Sequence, residues 1–193
     1  MNQRNLMEVD WSQIPAPADD GGAAHLKGMT IPPVALRATD DTMVTLSSLK
    51  GRTVVFAYPR TGEPGKIALV DDWDMIPGAR GCTPQTCSFR DLFAELKSAG
   101  AAHVFGLSSQ SNDYQAEMAA RLHLPFPVLS DEKLLLTRAL NLPTMDVAGL
   151  TLIKRLALIV DDARISHVFY PVFPPDRNAG DVLEWLKENP AGS

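Results

Sequence analysis

Cysteine is scarce in this chain, with two in 193 residues. That excludes a disulfide scaffold, which needs a much denser set. Long apolar runs are absent: no stretch of about 18 apolar residues occurs, so no membrane-spanning helix is expected. Basic charge is not in excess. Lys and Arg number 18 against 23 Asp and Glu, a net charge of −5, which excludes nucleic-acid binding through a basic footprint. Met1 to Asp10 lack the basic-then-apolar order of an export signal, so a cytoplasmic location is expected. No internal repeat is present. In a reducing compartment a close cysteine pair points to catalysis or metal binding rather than to structure.

With 45% apolar and 21% charged residues, the chain is ordinary for one globular domain with a full core. Residues 1–25 read as a flexible N-terminal leader, rich in Pro, Gly and Asp around Ile14–Gly22, and 26–193 as the domain. Trp11 is the one leader residue expected to dock. The domain alternates strand and helix patterns. Short strands are expected at Val34–Ala38 and Met43–Leu46, and a strand buried on both faces at Thr53–Tyr58. A long irregular segment, Arg60 to Gly81, follows. A helix is expected from Pro84 to about Ala99, with Thr83 as N-cap and Gly100 just past its end. Strands at His103–Leu107, Val128, Leu156–Val160 and Ile165–Tyr170 and helices at Asn112–Leu122, Glu132–Leu140 and Ala179–Glu188 complete the pattern, with Asn178 as a possible cap. Such alternation predicts an α/β fold, a sheet flanked by helices.

The two cysteines, Cys82 and Cys87, fall at the start of the expected helix. A thiol at a helix N-terminus sits in a field that favours thiolate, the reactive form. Phe89, Leu92, Phe93 and Leu96 repeat at i, i+3, i+4, i+7 and make the buried stripe. Cys87 falls on the other side with Asp91, Ala94 and Ser98, which argues against a core cysteine. Helical positions five apart lie about 8–9 Å apart at Cα, and a disulfide needs less than about 7 Å. A resting disulfide is therefore not expected; one formed during turnover, with local melting of the helix start, is.

The segment Gly81-Cys82-Thr83-Pro84-Gln85-Thr86-Cys87-Ser88-Phe89-Arg90-Asp91 resembles the active-site signature of peroxiredoxins of the bacterioferritin-comigratory, or peroxiredoxin Q, subfamily. Leu49–Pro59, Pro125–Asp131 and Arg155–Asp161 resemble further segments of that family in the same order. The resemblance covers roughly residues 28–188. It implies a thioredoxin-like fold with a central mixed β-sheet flanked by helices. It also implies a thiol-dependent peroxidase acting on hydrogen peroxide or organic hydroperoxides, without a cofactor or metal. Cys82 would be oxidised to a sulfenic acid, Cys87 would resolve it as a disulfide, and Arg155 would hold the thiolate. Thioredoxin or a glutaredoxin-like protein would be the reductant. An intramolecular resolving cysteine removes the need for a dimer, so a monomer is expected.

The chain departs from the family pattern before Cys82. Ala79 stands where a hydroxyl residue is usual and Met75 where a proline is usual. Either Thr61 folds back to supply the hydroxyl or the site lacks it. The segment 60–81 is then expected to shape peroxide entry or the docking surface of the reductant. Arg80 reads as a solvated loop charge, with a second activating cation as the alternative. His25, His103, His123 and His167 are scattered and read as structural. Asp71-Asp72-Trp73-Asp74 lacks the glycine and distal glutamate of a calcium loop and reads as a solvated turn. Phe169–Pro175 is expected to pack on the domain or form an interface. Three other readings fit less well. A dithiol oxidoreductase would carry its cysteines two residues apart. A copper-handling protein would use both thiolates and His167, and a non-catalytic redoxin-fold binding module is a further alternative.

Overall fold

A computed structural model of the chain describes residues 9–191. The first eight residues of the expected leader and the last two of the expected domain lie outside them. The short strand patterns form a hairpin, β1 (Ala35–Ala38) and β2 (Met43–Thr45), and the β-branched run forms β3 (Arg52–Ala57), buried at every position. Then come α1 (Cys82–Asp91), α2 (Phe93–Ser98), β4 (His103–Ser108), α3 (Asn112–Arg121), β5 (Val128–Ser130) and α4 (Leu135–Leu140). Strands β6 (Thr144–Val147), β7 (Leu150–Ile153), β8 (Leu156–Asp161) and β9 (Arg164–Phe169) follow, and α5 (Asn178–Glu188) closes the chain.

Seven strands form one mixed sheet in the order β2-β1-β5-β4-β3-β8-β9. Strands β3, β4 and β5 run parallel, and β8 joins β3 antiparallel. Both faces are covered, so β3 buries alternate residues in two layers. Val54, Phe56 and Tyr58 pack with Phe89 of α1, Leu96 of α2, Met118 of α3 and Val182 of α5. Val55 and Ala57 pack on the other face with Leu26, Ile31, Leu136 and Leu140. Phe89 stacks on Phe56 with ring centroids 4.1 Å apart and seats α1 on the sheet. The α/β layering expected from the sequence is present.

Three elements differ from the sequence reading. The single helix expected over 84–99 is two helices, broken at Leu92, and it starts earlier. Thr83 is inside α1 and Gly81 occupies the cap, with φ +103°, a left-handed conformation that glycine adopts without strain. Second, β6 and β7 form a separate hairpin that the sequence reading lacked. Its turn, Ala148-Gly149, has both residues at positive φ, as a two-residue hairpin requires. The alanine there concealed the signal. Third, the segment 60–81 is not merely irregular. A turn at Trp73–Met75 and the buried Trp73 and Ala79 pack against Val147 and Leu152 of the hairpin. The insert thus has a small core of its own.

Residues 9–25 touch the domain at several points. Trp11 donates its indole N–H to Asp176 at 2.9 Å and packs edge-on to Phe173. Asp20 pairs with Lys154 at 2.6 Å and accepts a hydrogen bond from Tyr170 at 2.6 Å. These two contacts hold its carboxyl well below the usual carboxylate range.

Gly81 also lets α1 start close against Pro175 and Trp11. A Cβ at this position would lie 2.6 Å from both Pro175 and Trp11. Gly81→Ala is expected to cost about 1–2 kcal/mol for the left-handed backbone and a further ~1–3 kcal/mol for overpacking. Thermal unfolding would register this as a lower midpoint; an unchanged midpoint would contradict the role given to Gly81.

Candidate active site

Cys82 is the first residue of α1, so the unpaired N–H groups of the helix start surround its side chain. The thiol is nearly buried, at 3% exposure. Arg155, in the turn between β7 and β8, is buried beside it and places Nη2 3.3 Å from the Cys82 sulfur. The same Nη2 lies within 3.0–3.3 Å of the carbonyl oxygens of Gly78, Ala79 and Arg80. One NH₂ group has two protons, so these acceptors share them. Nη1 donates to Gln85 Oε1 at 2.6 Å. Gln85, fully buried, in turn donates from Nε2 to Asn178 Oδ1 at 2.8 Å. The guanidinium is therefore fixed by a backbone loop on one edge and by α1 on the other. A guanidinium held this way resists reorientation and keeps its charge beside the sulfur.

The structure brings Cys82 and Arg155 together as the sequence expected. Gln85 and Asn178 were missed as parts of the site. Gln85 was legible only as a motif residue, and Asn178 only as a helix cap, whereas it lies inside α5.

Cys87 requires a correction. It was assigned to the open side of the helix, yet it is 3% exposed. Arg90, three residues on, donates to the Leu122 carbonyl at 3.0 Å, and the charge of Arg121 in α3 reaches the Cys87 thiol. Burial pushes its thiol up; Arg90 and Arg121 oppose this in part. Both cysteines are reduced and both are helical. Ideal helix geometry separates their Cα atoms by about 8–9 Å, beyond disulfide reach. Thr86 Oγ donates to the Cys82 carbonyl at 2.8 Å and adds to what must break before they meet.

A cavity of about 960 Å³ opens onto Cys82. Thr61, Trp73, Arg80, Thr83, Pro84 and Tyr114 are among the residues on its wall. Thr61 thus shares the cavity with Cys82, but its hydroxyl is directed at Gln110 Oε1, 3.1 Å away. Ala79 turns its side chain into the insert core, and its carbonyl lies 3.5 Å from the Cys82 sulfur. Arg80 is a second correction. It is 8% exposed rather than solvated, and Asp74 lies 3.7 Å from its Nε.

The histidines have local roles. His25 Nε2 meets the Leu140 carbonyl at 2.9 Å, and His103 Nε2 meets that of Lys50 at 3.2 Å. His167 lies in an aromatic stack with Phe169 and Trp185, and burial lowers its pKa. Among the described residues no three His, Cys, Asp or Glu side chains gather as metal ligands, so His167 does not join the two cysteines. Nor does any helix among them have the length and apolarity to cross a membrane.

A mixed sheet with a thiol at a helix start, backed by a buried guanidinium, defines a thioredoxin-like thiol enzyme. The Redoxin family model matches residues 26–183. The chloroplastic peroxiredoxin Q of Sedum lineare is 32% identical over 163 residues, covering 83% of this chain and 77% of that protein. Peroxiredoxin Bcp of Escherichia coli is 30% identical over 167 residues, covering 84% and 96%. The crystal structure of peroxidoxin BcpB from Mycobacterium tuberculosis superposes with a TM-score of 0.67 at 26% identity, covering 86% of this chain and 99% of that one. The chain belongs to the Redoxin family and, within it, to the peroxiredoxin Q/Bcp group of thiol peroxidases.

A raised Cys87 pKa leaves that thiol protonated at neutral pH, where it reacts poorly. In a Cys82→Ser variant, alkylation of Cys87 is expected to be slow at pH 7.5. Its rate should climb with a midpoint above the ordinary thiol value. A midpoint at or below that value would contradict the burial assigned to it.

Proposed function

We propose that Cys82 is the peroxidatic cysteine, Cys87 the resolving cysteine and Arg155 the residue that holds the thiolate. The observation that carries this reading is the 3.3 Å approach of the fixed Arg155 Nη2 to the Cys82 sulfur at the start of α1. The Cys82 thiolate attacks the distal oxygen of a hydroperoxide, which leaves the sulfur as a sulfenic acid and releases water or an alcohol. Cys87 then condenses with the sulfenic acid, forming a disulfide and water. For this step the start of α1 unwinds. Unwinding also removes the burial that keeps Cys87 protonated, so the resolving thiol gains reactivity when it is needed. A dithiol protein of the thioredoxin or glutaredoxin type returns both thiols by exchange.

Hydrogen peroxide and organic hydroperoxides both fit a cavity of about 960 Å³. A close cysteine pair used for catalysis suits a reducing compartment, and we place the protein in the cytoplasm. Both thiols lie on one helix, so a single chain holds the whole cycle, and we take the working form as a monomer.

One equivalent of hydrogen peroxide added to reduced protein is expected to remove two hydrogens, mapped to a Cys82–Cys87 disulfide by peptide mass. Oxygen added at Cys82 with Cys87 still a thiol would assign a one-cysteine mechanism instead, and no rapid change would sink the peroxidase reading. Arg155→Met is expected to slow sulfenic acid formation by about 10²–10³-fold, the usual loss for a donor that stabilises developing charge. A rate within threefold of wild type would remove Arg155 from the site.

A further inference from the structure

The cycle proposed above needs the first turn of α1 to open, and what encloses that turn decides how readily it does. Gly81, the cap before Cys82, is buried between two side chains. A Cβ there would lie 2.6 Å from Pro175 and 2.6 Å from the tip of the Trp11 indole. Pro175 belongs to the body of the fold. It is buried and leads into α5, whose Ala179 and Val182 pack in the sheet core. Trp11 belongs to the leader. It sits in a single turn, Trp11–Gln13, and between that turn and β1 the chain forms no helix or strand.

Two anchors hold this segment. At one end Trp11 donates Nε1–H to Asp176 at 2.9 Å and meets Phe173 edge-on, with ring centroids 6.1 Å apart. At the other, Asp20 pairs with Lys154, the neighbour of Arg155, and accepts from Tyr170. Pro17, between them, lies beside Gly78. The leader thus follows the 78–81 loop, whose carbonyls hold Arg155, and reaches the cap of α1. The two anchors differ in what they grip. Lys154 and Tyr170 adjoin β8 and β9, which the opening of α1 leaves in place. Trp11 rests on the end of the helix that opens. An indole seated on a glycine backbone is held by contact area and by its one N–H bond.

We propose that Trp11 is a positioning residue for the resolving step: its indole clamps the start of α1, and its release sets how long Cys82 stays a sulfenic acid. This rests on the peroxidase reading above. Gly81 moves with Cys82 when the turn opens, and the indole then leaves its seat. Two reactions compete for the sulfenic acid. In one, the Cys87 sulfur attacks the Cys82 sulfur; the S–S bond forms, the S–O bond breaks, and the hydroxyl leaves with the thiol proton as water. In the other, a second hydroperoxide passes its terminal oxygen to the Cys82 sulfur. Its O–O bond breaks, ROH departs, and the sulfur is oxidised by two further electrons to the sulfinic acid. The first reaction needs α1 to open and the second does not. A clamp that slows opening favours the second, so the leader sets the peroxide level at which the enzyme is lost to overoxidation.

Rapid quenching of the reduced protein after mixing with hydrogen peroxide over a range of concentrations follows both steps at once. Free thiols are alkylated at the quench, and the Cys82 and Cys87 peptides are weighed. In W11A the loss of the Cys82 thiol is expected to stay within about twofold of wild type, while disulfide formation becomes about tenfold faster. The peroxide concentration that converts half of Cys82 to sulfinic acid should rise by about the same factor. W11F keeps a ring on Gly81 without the N–H, and D176A removes its acceptor; each is expected to speed disulfide formation about threefold. If W11A fails to fold by circular dichroism, W11F and D176A carry the test. Wild-type disulfide rates in the folded variants would overturn the proposal. So would a slower disulfide step, or equal changes in both steps, which would leave Trp11 a purely structural role. Wild-type protein that does not react with peroxide, or that stops at the sulfenic acid with Cys87 free, would overturn the two-cysteine peroxidase reading itself, and this proposal with it.

Discussion

The contact between the Arg155 guanidinium and the Cys82 sulfur governs the rest of this structure. Holding a permanent cation at 2% exposure is unfavourable unless acceptors surround it. The chain answers that demand at Nη1 and Nη2 with three successive backbone carbonyls and a buried glutamine, while Nε has no hydrogen-bond partner. Those acceptors fix the path of the 78–80 loop. The loop in turn delivers Gly81, whose left-handed backbone and lack of a Cβ allow α1 to begin hard against Pro175 and Trp11. Phe89 stacked on Phe56 then locks the helix to β3, which sets where Cys82 sits. Cation, loop, glycine and helix are one constraint seen at four places.

The same helix that carries Cys82 at its start keeps Cys87 out of reach. A regular first turn gives the sulfur its N–H field but separates Cys82 from Cys87 by a distance no disulfide can span. Burial adds a second restraint by holding Cys87 protonated. In the proposed cycle both restraints are released by one event, the unwinding of the start of α1. Unwinding breaks the Thr86 hydroxyl bond to the Cys82 carbonyl, the first backbone bonds of the helix and the bonds of Gln85 to Arg155 and Asn178. Phe89, on the sheet side, is placed to anchor the remainder of α1 while its first turn opens.

Much of this could be read from the sequence, for identifiable reasons. The α/β layering was legible because β3 carries the apolar run Val54–Ala57 and the helices carry stripes or caps. Cys82 and Arg155 were legible through the motif and the strand that follows Arg155. Three features were not. Cys87 looked open because helical periodicity reports only the stripe of its own helix and not what other parts of the chain bury. The β6–β7 hairpin was hidden by an alanine in a turn position that favours glycine or asparagine. The insert read as a loop because its Trp73 and Ala79 find partners, Val147 and Leu152, more than 65 residues away. Arg80 was misjudged for the same reason: its burial depends on a long-range fold of the insert, which local charge pattern does not encode.

The central claim is that turnover reshapes the start of α1. Amide hydrogen exchange on the reduced protein and on the peroxide-oxidised protein tests it most directly. The account predicts much faster exchange over residues 83–90 in the oxidised form, with β3 and α5 unchanged. Identical protection of that segment in the two forms would contradict it, because a Cys82–Cys87 bond cannot form on an intact helix.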